Sequence, residues 1–449
     1  MNDNVILSKY LTKVFETPSD GVSEWFGYYN YDTLNHDQTK MLCNRSKVDG
    51  VAPEKGMTIE LGYYDIPEGT WHHIGESDSW NWQQGAMMQW LLGEGNENKV
   101  IYNTSKDDHL ISRIHNIATG EDRDIDWAIY GITPDGKKSI ALDLERSRWC
   151  RAYHYKSVEN TAKEGRVYEG DGIFEVDLES NTTKRIISIQ DIIALNHEPS
   201  FDTMKHWLEH IMISPDGSRF VFLHRFSSME NVFHYRTRIC IANIDGSNLQ
   251  VIDGQDKYEW SHFGWNPDNS FCIYAYTKSR FGCPYTIGSL LHSGIKGILK
   301  LPKKAFCVLT GHLPFGLSRK IYGNYTYYQF YRQNSEGYYV LDNISRKNFF
   351  PTDGHPSFTA EGDVVITDTY ADKNKRQLLL AYSPKNRRCI TLGKFTDFYK
   401  YNPASCDLHP KLCKNNRFIV LDTALDEKHR MIVFEITWNM LRHNLLENK

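Results

Sequence analysis

The sequence predicts an all-β protein, a seven-bladed β-propeller forming a single domain over residues 1–449. Three observations predict it. One hairpin unit recurs along the chain, other strand pairs with polar turns fill the gaps between its copies, and helical periodicity is confined to two short stretches.

The hairpin is plainest in "HIMISPDGSRFVFLHR" (210–225), where an apolar run, a Pro-Asp-Gly turn and a second apolar run follow one another. Such turns between strand-like runs are a strong hairpin signal. Related units are "AIYGITPDGKKSIALDLER" (128–146), "HFGWNPDNSFCIYAY" (262–276), "HPSFTAEGDVVITDTY" (355–370) and "HPKLCKNNRFIVLDT" (409–423). A weaker copy spans 87–103. Each hairpin with its following strand pair makes a four-stranded blade. The blades expected are 22–75, 83–126, 127–190, 206–253, 261–350, 354–395 and 406–437. The third carries an insertion, "RSRWCRAYHYKSVENTAKEGRVYEG", and the fifth a longer one over about 278–330. Long insertions in a compact fold are more often functional loops than accidents. The two helical stretches are "IQDIIALN" and the C-terminal "WNMLRHNLLENK".

Composition narrows the function classes. A net charge of -4 and the lack of a polybasic tract argue against nucleic acid and anionic membranes as partners. No run approaches a membrane span, and the N-terminal residues lack a signal-like apolar core. Nine scattered cysteines without a CxxC pair fit reduced thiols, so a cytoplasmic location is expected. GxSxG, Walker A, the Rossmann GxGxxG and the WD signature are all absent. The sequence does not give the oligomeric state.

Aligning the hairpins on the residue before the turn, and stepping back four, gives His210, His262, His355 and His409. The segment before the turn should be the innermost strand of a blade, so these positions should meet at one mouth of the central channel. Four imidazoles there could bind Mn²⁺, Fe²⁺, Ni²⁺ or Zn²⁺; a recurrent histidine can instead bond between blades. Asp407 lies two residues before His409, on the same strand face, as a further ligand or orienter. The second strand of each hairpin returns beside the first. That places His224 and Arg225 near His210, Asp368 and Tyr370 near His355, and Asp422 near His409, with Arg146 ending the corresponding strand of the third blade. "SWNWQQGAMMQW" adds Trp82, Gln83 and Gln84, readable as packing between blades or as sugar stacking with amide hydrogen bonds.

The segments "EHIMISPDGSRFVFLHR", "SHFGWNPD", "DGHPSFTAEGDVVITDTY" and "CDLHPK" resemble the oligogalacturonate lyases, polysaccharide lyase family 22, over roughly residues 80–440. The resemblance implies a cytoplasmic seven-bladed propeller that degrades pectin fragments. It also implies a divalent metal, often manganese, held by histidines and a glutamine, and β-elimination on short uronic-acid chains. His262 matches the family's middle-blade histidine, and His409 the second histidine of its closing Gln-x-x-His-x-His-Pro motif. Asp407 stands where the first histidine would be and Ala404 where the glutamine would be, so the chain reads as a divergent branch.

β-Elimination requires a neutralised carboxylate, a base for the adjacent C–H and an acid for the leaving oxygen. The assignments expected are His224 as base, with Arg146 or Arg225 as carboxylate partner or, on the resemblance, as base. Tyr370 or Tyr153 would act on the leaving group. Trp82, Gln83, Gln84, Tyr153 and Asp368 would bind an acidic oligosaccharide. A non-catalytic propeller binding a protein or glycan, and a metal-dependent isomerase or hydrolase, are the rival readings, since fold alone does not decide function.

Overall fold

The computed structural model describes residues 5–151, 155–229, 235–252, 254, 258–277, 326–346, 349–399 and 404–447. Tyr153 and most of the fifth-blade insertion lie outside these residues.

The inner hairpins of the third to seventh blades close with the same turn. The backbone N–H of the fourth turn residue donates to the carbonyl of the first in Thr133–Gly136, Ser214–Gly217, Asn266–Asn269, Thr359–Gly362 and Cys413–Asn416. That fourth residue has positive φ in every copy, which is why it is Gly or Asn each time.

The strands assemble into seven antiparallel sheets around an axis. The innermost strands, in chain order, are Ser23–Trp25, Gln89–Trp90, Gly131–Ile132, Lys205–Ile213, Tyr258–Trp265, Ser357–Phe358 and Lys411–Leu412. Residues before 22, expected to lie outside the blades, are part of them. Leu11–Glu16 pairs with Arg430–Ile436 as the outer strand of the seventh blade, and Val5–Leu7 adds a fifth strand to the sixth. The N-terminal strand thus closes the ring through the backbone ladder.

Alternating apolar residues pack blade against blade. Val221, Leu223, Ile239 and Ile241 of the fourth blade, for example, bury against Trp260, Phe263 and Ile273 of the fifth. Both expected helices occur, as Ile189–Ala194, started by a Ser188–Asp191 capping box, and Trp438–Arg442. A third, Leu144–Cys150, was not expected: the Asp143 side chain accepts from the Arg146 N–H and turns the strand end into a helix start. No helix among the described residues is long and apolar enough to cross a membrane.

Asp171, buried at the start of the strand Gly172–Asp177, has its carboxyl pushed up to about 7 by burial and by the nearby Asp143. The folded protein therefore keeps a proton there that the unfolded chain loses near its ordinary 3.8. The associated stability is full below that value and is lost as pH rises through about 7. Asp171→Asn should lose less stability than the wild type between about pH 5 and about pH 8, read from urea midpoints; equal losses would contradict the assignment.

Candidate metal centre at the propeller hub

The register that aligned four histidines in the sequence also aligns them in space. His210 and Ser261–His262 occupy bulges in the innermost strands of the fourth and fifth blades, where the pairing skips from Glu209 to Met212 and from Trp260 to Phe263. A bulge re-aims side chains that regular alternation would send elsewhere. His210 and His409 reach the axis with positive φ, a backbone cost that a non-glycine residue bears only when its surroundings fix it. Successive rings lie close: His210–His262 5.5 Å, His262–His355 4.2 Å and His355–His409 4.4 Å between centroids.

Asp368 organises the last two. Its carboxylate accepts from the His355 backbone N–H at 2.7 Å and the His409 backbone N–H at 3.2 Å. It also lies 3.0 Å from His355 Nδ1. An Nδ1 held by a carboxylate leaves Nε2 as the lone-pair nitrogen. His355 Nε2 and His409 Nε2 are buried and have no hydrogen-bond partner among the described residues. Burial holds both imidazoles well below the usual histidine range, hence neutral. One ligand atom each of His355, His409 and Asp407 lies within 4.8 Å of the others. Burial and the neighbouring Asp368, Asp397 and Asp353 push the Asp407 carboxyl well above its normal value, an environment that a cation would relieve. Two neutral imidazoles with free nitrogens and one carboxylate form a donor set that fits a borderline divalent ion.

The other two column histidines are differently engaged. His262 Nδ1 is 2.9 Å from Asp353 Oδ2, with the Tyr370 hydroxyl 3.5 Å away. His210 Nδ1 bonds the Tyr28 hydroxyl at 2.7 Å, and its Nε2 is 3.4 Å from Glu209 Oε2. Arg225 reaches the same region: its guanidinium bonds Glu209 and lies over the Tyr235 ring. Gln83 donates to the Ser405 carbonyl at 3.0 Å and also hydrogen-bonds the Asp407 carboxylate.

Four expected site residues are used elsewhere. His224, expected as the base, is fully buried, with His206 Nδ1 at 2.9 Å and Arg238 Nε at 3.1 Å occupying its two ring nitrogens. Arg146 belongs to the unexpected helix, and its guanidinium donates to the carbonyls of Lys163, Gly165, Arg166 and His206. Trp82 packs with Trp25, Trp80 and His429 while its N–H donates to the Val51 carbonyl. Gln84 is consumed by the hydroxyls of Tyr130 and Tyr155. Asp368, expected to bind substrate, orients histidines instead, and Tyr153 lies outside the described residues.

Sequence reasoning missed Tyr28, Tyr29, Glu209 and Asp353. The first blade lacks the turn motif, so no register carried Tyr28 and Tyr29 to the axis. They arrive there because Asp422 accepts from the backbone N–H groups of Phe26 at 2.9 Å and Gly27 at 3.1 Å, swinging the chain inward. Gly27 has no substitute: a Cβ would sit 2.5 Å from the backbone of Gln84. Tyr29 then bonds the Phe263 carbonyl, and Tyr28 touches all four histidine rings. Glu209 and Asp353 lie one and two residues before a column histidine, a signal that adjacency could have supplied.

Arg146→Met should therefore cost about 3 kcal/mol of stability, since two buried and two part-buried hydrogen bonds to carbonyls lose their charged donor, and leave metal binding at the hub unchanged. Equal stability together with lost metal would contradict the structural role.

No family model and no curated protein matches the sequence. Among solved structures, an oligogalacturonate lyase in complex with manganese superposes with a TM-score of 0.58 at 14% identity, covering 98% of this chain and 100% of that one. The oligogalacturonate lyase of Vibrio parahaemolyticus superposes with a TM-score of 0.56 at 13% identity, over 97% and 98% of the two chains. The tricorn protease gives 0.50 at 10% identity, over 96% of this chain and 34% of that one. At these identities the likeness is one of fold: the chain is a seven-bladed propeller similar to the oligogalacturonate lyases.

Proposed function

We propose that the protein is a metal-dependent lyase that cleaves uronic-acid-containing oligosaccharides by β-elimination. One observation carries the reading: two buried histidine nitrogens, without hydrogen-bond partners among the described residues, converge with a carboxylate at the hub of a propeller similar to a manganese-bound oligogalacturonate lyase. His355, His409 and Asp407 would hold the ion, manganese being the first expectation. When bound, it would neutralise a uronate carboxylate and so acidify the adjacent C–H.

The chain's own residues divide the remaining work. Asp368 holds His355 and His409 in register through their backbones and through the His355 ring. Gln83 steadies Asp407, which occupies the place of a family histidine. Arg225, with its permanent charge beside Glu209, is the carboxylate partner. With His224 locked between His206 and Arg238, proton transfer falls to groups inside the ring of histidines.

Purified protein should carry a divalent cation by elemental analysis, and His355→Ala and His409→Ala should each lower its occupancy at least tenfold. On acidic oligosaccharides the wild type should generate absorbance near roughly 235 nm from an unsaturated uronate, abolished by a chelator. Metal without that absorbance would point to an isomerase or hydrolase; neither would point to a binding module. Either result would overturn the lyase reading.

A further inference from the structure

A chain of acid–base groups that the metal centre does not use runs from Tyr28 through His210 to Glu209. The Tyr28 hydroxyl is 2.7 Å from His210 Nδ1, and the two rings stack at 5.2 Å with only 8° between their planes. His210 Nε2 is 3.4 Å from Glu209 Oε2. Glu209 is in turn held from three sides: Trp207 Nε1 donates to Oε1 at 2.8 Å, Arg151 Nε lies 3.2 Å from Oε1, and Arg225 pairs with Oε2. A hydroxyl, an imidazole and a fixed carboxylate in series are the parts from which activated proton carriers are built. The arrangement is also specific. The bulge places Glu209 and His210 consecutively at the hub, and His210 holds its ring there with positive φ.

We propose that Tyr28 is a catalytic proton carrier of this site, with His210 as its exchange partner and Glu209 as the positioning residue behind it. The assignment rests on the lyase reading above and adds the residue that moves the proton. The Tyr28 proton passes to His210 Nδ1, and Glu209 stabilises the imidazolium. Tyr28 Oη takes the proton from the carbon next to the uronate carboxylate. The electron pair of that C–H bond forms the C=C bond, and the β C–O bond breaks with its pair on oxygen. Tyr28 then gives its proton to the leaving oxygen and recovers one from His210. One C–H and one C–O bond are lost, one C=C and one O–H bond are formed, nothing is oxidised or reduced, and the enzyme ends as it began.

Tyr28→Phe keeps the stacked ring and removes only the carrier atom. In the metal-loaded full chain it should lower kcat 100-fold or more, within the range of general acid–base contributions, with KM and metal stoichiometry unchanged. A merely packing tyrosine would leave kcat within threefold of the wild type, and that result overturns the proposal while the lyase reading stands. If Tyr28→Phe does not fold by circular dichroism, His210→Gln is read the same way. It can still bond Tyr28 but cannot hold its proton, so a wild-type kcat overturns the proposal and a matching loss supports it. A wild type that forms no unsaturated product from any oligouronide overturns both readings, and is told apart from the first failure by the absence of wild-type activity itself.

Discussion

The hub depends on one buried carboxylate. Asp368 sits on the second strand of the sixth blade and bonds the backbone N–H of His355 in its own blade and of His409 in the next. Bonding two backbones fixes where both histidines leave the chain, and bonding one ring fixes which nitrogen it presents. An unpaired buried carboxylate is costly, and here burial raises its pKa to about 6 while the approach of His409 opposes the rise. A site that spends a buried charge on orientation rather than on substrate has its geometry set before any ligand arrives.

A second carboxylate does the corresponding work for the first blade. Asp422, in the seventh blade, receives two consecutive N–H groups at Phe26 and Gly27 and so turns the chain across the channel mouth. This delivers Tyr28 and Tyr29 against the histidines. Ring closure by the N-terminal strand Leu11–Glu16 makes the delivery possible, because it brings the start of the chain beside the last blade. Closure of the propeller and completion of its site are thus the same event, and residues near the two ends of the chain meet at the axis.

The propeller and the histidine column were legible in the sequence because both are periodic. The turn takes Gly or Asn at its fourth position in these hairpins, and the residue four before its first member is a hub histidine in four of the five blades that have the turn, the third blade having Ile129 there, packed among apolar residues. What failed to appear was aperiodic. His224 lies within the second strand of its hairpin and Arg146 in the helix that follows the corresponding strand, and their side chains serve contacts made by the third-blade insertion and by residues 189–206, which no register describes. Trp82 follows the same logic, since its partner Trp25 belongs to a blade without the motif. Tyr28 is brought to the hub by hydrogen bonds that its neighbours Phe26 and Gly27 donate to a residue nearly four hundred positions away.

In the proposed function, His355, His409 and Asp407 are a preformed cation site. The most direct measurement is a crystal structure of the full chain grown or soaked with manganese, with anomalous scattering collected to locate the ion. The expected result is one strong anomalous peak at bonding distance, roughly 2.0–2.3 Å, from His355 Nε2 and His409 Nε2, with Asp407 turned toward it and the Asp368 bonds intact. A hub without a peak, or an ion held by other residues, would contradict it.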